Sequence, residues 1–230
     1  MEYLLDTANL ETIKKFTEYF PITGVTSNPS IVKREGKIDF FAHMNKIRSI
    51  IGKDRTFHIQ VTATDVEGML KDADAILNKV DDQTFIKVPV TMEGLKVIKA
   101  LKAKGANVTA TAIYSKAQGF LALEAGADYL APYYNRMENL GIDAEDVIAS
   151  FAEMISQYGY TAKVVAASFR NMRQVNSALE AGAQAATVDP AILASIFSMP
   201  SIQKAVNDFT SDWQTIFGDK TIADLALEEK

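Results

Sequence analysis

One lysine stands where an apolar residue belongs. In FIKVPVT, residues 85 to 91, Phe85, Ile86, Val88 and Val90 make a short run suited to a buried strand, with Lys87 at its centre. An ammonium group is costly to take out of water and is almost never fully buried without a partner. Enclosure by a closed sheet would disfavour the charged form of Lys87 and lower its pKa. A neutral amine is a nucleophile toward carbonyls and forms a Schiff base with them. The protonated imine is an electron sink, so a bond beside the carbonyl carbon can break without a metal. The alternative is a structural ion pair, with Asp6 as its partner.

The direction of Lys87 follows from strand alternation, since successive residues face opposite sides. Ile86 and Val88 suit a helix-covered face, which turns Phe85 and Lys87 inward. The same test applied elsewhere aims further polar groups at the same axis. His58 and Gln60 fall together, opposite Phe57, Ile59 and Val61. Asn107, Thr109 and Thr111 fall together, opposite Val108, Ala110 and Ala112. Asp6 aligns with Leu4, Tyr133 with Ala131 and Tyr129, and Ser168 with Ala166. An ordinary barrel interior is filled largely by Val, Ile and Leu, and barrel enzymes hold their chemistry at the C-terminal strand ends. A polar interior at those ends therefore points to a catalytic site.

The elements that must position these residues alternate along the chain. Strands are expected at 3–7, 22–27, 56–61, 84–89, 107–113, 128–133, 162–168 and 184–189. Between them lie amphipathic stretches such as VEGMLKDADAILNKV and AEDVIASFAEMISQY, apolar at spacings of three and four. Gly recurs before strands, in AKGANV, EAGADY and EAGAQA, where it suits the residue just past a helix. Eight strands alternating with helices predict an α/β chain of one domain, a (β/α)8 TIM barrel over 1–230 with extra C-terminal helices from about 201 to 230. A doubly wound open sheet is the competing architecture, but no Gly-rich dinucleotide loop follows the first strand. In the C-terminal extension, Trp213 stands four residues from both Phe209 and Phe217. These aromatics either pack on the chain's own barrel or dock on a neighbouring subunit.

Composition narrows the function classes. The 230 residues carry a net charge of -5 and 48% hydrophobic residues, with Lys and Arg scattered. That argues against a nucleic-acid groove, which needs a basic stripe. No apolar run approaches the ~18 residues of a membrane span. The N-terminal MEYLLDTANLETIKK lacks the basic-then-apolar order of a signal peptide. The absence of cysteine fits a reducing compartment, so a cytoplasmic location is expected. With His43 and His58 the only histidines, a His-rich metal centre is not expected.

The segments LLDTAN, GVTSNPS, FIKVPVT, ATAIY, APYYNR and VAASFR occur in the order and spacing of the transaldolase family. The chain resembles most closely its small bacterial branch, the fructose-6-phosphate aldolase-like proteins, from Met1 to about Phe217. The resemblance implies a (β/α)8 barrel, a Schiff-base lysine on the fourth strand and no cofactor. It also implies a homo-oligomer, a decamer of two rings or a pentamer, joined through C-terminal helices. By position, Lys87 matches the Schiff-base lysine, and Asp6 the carboxylate that exchanges a proton with a substrate hydroxyl. Asn28 matches the asparagine that binds donor hydroxyls, with Thr26 beside it; Ser27 keeps a hydroxyl where many relatives have Thr. Arg136, Ser168 and Arg170 match the pocket for the substrate phosphate, for which the planar arginine fork is suited. Taken without the resemblance, Arg136 and Arg170 read as solvated loop charges and Asn28 as a turn residue before Pro29.

Two activities share this machinery, and both take sugar phosphates. A transaldolase holds the three-carbon enamine for an aldehyde acceptor, moving a dihydroxyacetone unit between sugar phosphates. An aldolase protonates the enamine and releases dihydroxyacetone. Transaldolases of the family generally carry Glu on strand three and Phe on strand six; here HIQV gives Gln60 and APYY gives Tyr133. A phenol can donate a proton and, with Thr111 and Gln60, order a water. The expectation is therefore a class I aldolase that cleaves fructose 6-phosphate, with transaldolase as the alternative and a silent sugar-phosphate-binding barrel as a third reading. His58 and Tyr134 depart from the family pattern. His58 is expected to be a satisfied interior histidine, and Tyr134 to bear on acceptor preference.

Overall fold

In the computed structural model, which describes residues 1–228, eight parallel strands close into a barrel in chain order. They are β1 (Glu2–Asp6), β2 (Ile22–Thr26), β3 (Thr56–Gln60), β4 (Phe85–Pro89), β5 (Val108–Ile113), β6 (Tyr129–Pro132), β7 (Lys163–Ala166) and β8 (Ala185–Val188). The helices that cover the barrel are α1 (Leu10–Tyr19), α2 (Pro29–Arg34), α3 (Phe40–Ile51), α4 (Val66–Lys79), α5 (Met92–Ala103), α6 (Lys116–Glu124), α7 (Tyr134–Asn139), α8 (Ala144–Tyr158) and α9 (Met172–Glu180). Then come α10 (Pro190–Ser195), α11 (Pro200–Phe217) and α12 (Ile222–Glu228). Each strand was legible as a run of apolar residues because both faces of a parallel sheet are covered. Leu5, Val25, Ile59, Val88, Val108, Leu130, Val164 and Val188 are buried accordingly.

The loops leaving the C-terminal strand ends are pinned by helix caps. Asn9, Asn28, Asp65, Thr91, Ser115 and Asn171 each end such a loop and accept a backbone N–H of the following helix. A side-chain cap contributes about 1 kcal/mol and fixes where the first turn begins. The face that carries the site is thereby held by side chains local to each loop.

Strand alternation fails at two places in β5. Asn107, expected to face inward, precedes the strand; its Nδ2 donates to the Gln83 carbonyl at 3.2 Å, toward the N-terminal face. Ala112, expected to face the helices, has φ +56°, and the pairing of β5 with β6 slips between Ala110 and Ile113. This left-handed residue shifts the pleat by one and turns Ala112 toward the cavity.

Helix packing is close where α6 meets α8. A Cβ at Gly119 would overlap the Phe151 ring, which is fully buried. Gly119→Ala is therefore expected to destabilise the fold by about 1–3 kcal/mol through overpacking, even though alanine favours a helix by about 1 kcal/mol. A urea-unfolding midpoint at or above wild type would show that α6 can slide away freely.

The chain divides into two compact units, Met1–Ile192 and the stretch from Leu193 onward. In the second unit, Trp213 Nε1 donates to the Lys220 carbonyl at 2.7 Å and its ring lies 4.5 Å from that of Phe217. Helix α11 buries none of its residues. Ile202, Val206, Phe209 and Ile216 thus form an apolar stripe at helical spacing, with Phe209 71% exposed. Among the described residues, no helix is long and apolar enough to cross a membrane.

Candidate active site

The C-terminal end of the barrel holds a cavity of about 480 Å³. Asp6, Asn28, Gln60, Lys87, Tyr133, Arg136, Ser168 and Arg170, all singled out from the sequence, line it together. Lys87 is 4% exposed, and its Nζ donates to the Ser27 carbonyl oxygen at 3.0 Å. Burial lowers its pKa, opposed by the charge of Asp6. Asp6 is raised, first by burial, against the pull of Lys87 and a hydrogen bond from Thr26. Among the described residues no carboxylate pairs with Lys87 at contact distance, Asp6 included. Burial thus draws both groups toward their neutral forms, and the contact pair that a structural role for Lys87 would need is not formed.

Two of the expected residues stand behind the wall instead of lining it. Thr26 is 1% exposed and donates from Oγ1 to Asp6 Oδ1 at 2.8 Å. Thr111 is fully buried and donates to the Tyr133 hydroxyl at 3.1 Å. A donor to the Tyr133 oxygen leaves the phenol's own hydrogen free for the cavity. Burial raises the Tyr133 pKa, while the Thr111 bond and Arg136 oppose it, so the phenol keeps its proton at neutral pH. Gln60, paired in register with Lys87, has a buried Oε1 with no hydrogen-bond partner among the described residues. Gln60 also borders two smaller cavities of about 220 and 280 Å³, both lined by Phe40 and Thr62.

Asn28 serves two ends at once. Its Oδ1 accepts from the N–H groups of Ser30 and Ile31 and caps α2. With Oδ1 committed, the donor Nδ2 is the end left for a ligand hydroxyl. At the rim, Arg136 lies over the Tyr133 ring at 4.7 Å and donates to the Tyr114 hydroxyl at 3.3 Å. Ser168 has φ +65°, a strained setting for serine, and its carbonyl accepts from Asn135 N–H at 3.0 Å. Arg170 and Asn135 are tied to one residue: Gln174 accepts from Arg170 N–H at 2.7 Å and donates to Asn135 Oδ1 at 3.1 Å.

His58 is a satisfied interior residue, as expected. It is 0% exposed, with Nδ1 2.8 Å from Thr109 Oγ1 and Nε2 3.0 Å from Thr56 Oγ1. Its ring stacks on Phe85 at 4.7 Å and meets Tyr129 edge-on at 5.1 Å, forming an aromatic floor. Burial, then Lys87, pushes its pKa well below the ordinary 6.5. A buried neutral histidine stabilises the fold above its unfolded pKa, and that contribution is lost as pH falls below about 6.5, because only the unfolded chain takes the proton. His58→Gln is thus expected to flatten the loss of unfolding free energy on acidification by up to about 1.4 kcal/mol per pH unit. Urea titrations at neutral and mildly acidic pH measure this; parallel curves would mean that His58 protonates in the fold.

Tyr134 is not among the residues that line the cavity. It is 2% exposed, donates to Glu145 Oε1 at 3.0 Å, and its ring lies 5.8 Å from that of Phe169, which does line the cavity. Helix α7 begins at Tyr134, and its rotation carries that side chain toward α8 while Tyr133 stays at the cavity. Residues absent from the sequence-based set also line the cavity, among them Thr187, Asp189, Arg34 and Tyr114. Ala185, Thr187 and Asp189 alternate in QAATVD, so the rule that found Gln60 would have found these as well.

A closed (β/α)8 barrel with a buried lysine at the C-terminal end of β4, ringed by a carboxylic acid, a phenol and an amide, belongs to the barrels equipped for carbonyl chemistry. Comparison with known families makes this more specific. The family model described as Transaldolase/Fructose-6-phosphate aldolase matches residues 3–229, and the chain belongs to that family. It is 54% identical over 222 residues to a protein of Streptococcus pneumoniae (strain ATCC 700669 / Spain 23F-1) named "Probable fructose-6-phosphate aldolase", a match covering 96% of this chain and 100% of the relative.

Proposed function

We propose that the protein is a metal-independent class I aldolase that reversibly cleaves fructose 6-phosphate to dihydroxyacetone and glyceraldehyde 3-phosphate. The observation that carries this reading is the grouping of the buried Lys87 amine with Asp6, Gln60 and the Tyr133–Thr111 pair around one cavity. The name of the Streptococcus relative supports the same substrate. Lys87 attacks the C2 ketone, and loss of water gives a protonated imine. Asp6, as carboxylate, takes the proton of the C4 hydroxyl. The C3–C4 bonding pair moves into the imine to give an enamine, and glyceraldehyde 3-phosphate departs. Tyr133, through a water held with Gln60 and Thr111, returns a proton to C3 of the enamine. Water then hydrolyses the imine, frees dihydroxyacetone and regenerates Lys87. Arg136, Ser168 and Arg170 hold the phosphate, and Asn28 Nδ2 donates to hydroxyls of the dihydroxyacetone portion, with Thr26 acting from behind Asp6.

The enzyme works in this reading as a cytoplasmic homo-oligomer, a pentamer or a decamer. The uncovered apolar stripe of α11 supports contacts through the C-terminal helices, since exposed patches of that kind mark association surfaces. The decisive assay follows free dihydroxyacetone from fructose 6-phosphate with and without erythrose 4-phosphate. Release without the acceptor is the expected result. Turnover only when the acceptor is present would replace the aldolase reading by a transaldolase one.

A further inference from the structure

Behind Asp6 the barrel carries a strap of two hydroxyls, of which the chemistry above uses only that of Thr26. Strand β1 lies between β2 and β8. Thr26, paired in register with Asp6, comes from β2, and Thr187, paired with Leu4, comes from β8. Their Oγ1 atoms meet at 2.6 Å across the inner face of β1, and both residues are buried, Thr26 to 1% and Thr187 to 3% exposure. In the Thr26–Thr187 contact either hydroxyl can donate, and the direction follows once Asp6 is in the ionised form that the proposed reaction needs. An ionised Asp6 can only accept, so the single hydroxyl hydrogen of Thr26 goes to Asp6 Oδ1. The hydrogen in the Thr26–Thr187 contact must then come from Thr187. Each donor points its positive end toward the carboxylate, and successive bonds in such a chain strengthen one another.

We infer that Thr187 is a positioning residue for this reaction: its hydroxyl, donating through Thr26, orients the Asp6 carboxylate and holds it in its proton-accepting form. The inference rests on the assignment of Asp6 to proton transfer. Thr187 also borders the cavity. Loss of the Thr187 hydroxyl leaves Thr26 free to turn its hydrogen away from Asp6, and the carboxylate then binds a proton more tightly. The other groups acting on Asp6 are Lys87 of β4, Arg34 of α2 and Asp189 just past β8, with Tyr133 and Arg136 across the cavity. All of them are unchanged by a substitution at Thr187.

The test compares wild type with Thr187→Val, which keeps the shape without the hydroxyl, and Thr187→Ser, which restores it. Single-turnover cleavage of fructose 6-phosphate is followed by rapid quench from acid to neutral pH. In the imine complex Lys87 no longer titrates as an amine, so the acid limb reports the groups around Asp6. Thr187→Val is expected to slow cleavage about ten-fold at neutral pH and move the acid limb up by about half a pH unit. Thr187→Ser should recover both, and borohydride trapping of Lys87 with dihydroxyacetone should be unchanged in all three proteins. Thr187→Ala replaces the valine variant if that one does not fold. An unmoved acid limb in the hydroxyl-free variant, or no recovery with serine, overturns the inference even where the folded protein is less stable. Asp6→Asn is run beside them. Wild-type cleavage in that variant would remove the role of Asp6 and this inference together, whereas an inactive Asp6→Asn with a wild-type-like Thr187→Val removes only the latter.

Discussion

Lys87→Met is expected to abolish carbon–carbon cleavage, with a loss on the order of 10⁴-fold or more, while leaving the barrel folded. Methionine fills much the same volume in the interior but offers no nucleophile. If the lysine served structure alone, removing it would strand a buried carboxylate and cost about 3–5 kcal/mol. The geometry argues against that cost. Lys87 touches the Ser27 carbonyl and not Asp6, and Asp6 is already drawn toward its neutral form by burial. A protonated Asp6 needs no counter-charge, so the unfolding free energy of the variant should stay within about 1–2 kcal/mol of wild type. The matching chemical readout is borohydride reduction in the presence of fructose 6-phosphate. A mass increment on Lys87 is expected in wild type and on no residue in the variant. Substantial cleavage by Lys87→Met, or an increment elsewhere, would mean that the ketone is activated by another group.

The same lysine shows why so much of the site could be read from the sequence. A parallel barrel buries both faces of every strand, so a polar residue inside such a run is conspicuous, and period-two alternation gives its direction. That argument placed Asp6, Gln60 and Lys87 on the inner face, where the structure has them around one cavity. It broke down where the backbone leaves the regular pleat. Ala112 is turned inward by a left-handed φ that no alternation rule anticipates, and Asn107 precedes the strand in which it was counted. Tyr133 and Ser168 lie just beyond β6 and β7, and an isolated bridge between Tyr133 and Ala167 extends the sheet to them. The rim arginines carry no strand signal at all, being exposed loop and short-helix residues, and only the family motifs pointed to them. Tyr134 shows the limit of that source. Its departure from the family pattern drew attention to acceptor preference, but the first residue of a helix and the residue before it point in different directions. Thr187 failed for the opposite reason, since alternation would have found it and no motif drew attention to β8.

Tyr133→Phe is expected to shift the fate of the enamine while sparing its formation. The phenyl ring remains beneath the Arg136 guanidinium, so the contact at 4.7 Å and the phosphate side of the cavity are kept. What disappears is one oxygen. In wild type that oxygen accepts the Thr111 hydroxyl and leaves the phenolic hydrogen for the cavity, which Gln60 also lines. In the proposed reaction those two groups hold a water, one as donor and one as acceptor, and that water passes a proton to the enamine. Removing a general acid of this kind costs about 10²–10⁴-fold in the step it serves. Attack of the enamine on an aldehyde acceptor needs no proton at C3, because the new carbon–carbon bond takes its place. Release of dihydroxyacetone from fructose 6-phosphate should therefore fall at least about 10²-fold, with transfer to erythrose 4-phosphate falling less than about ten-fold. The ratio of the two products isolates the role of Tyr133 from any general loss of activity, since a variant that merely binds sugar less well loses both in proportion. An unchanged ratio would reassign Tyr133 to the cavity wall and leave the proton to Gln60 and Thr111.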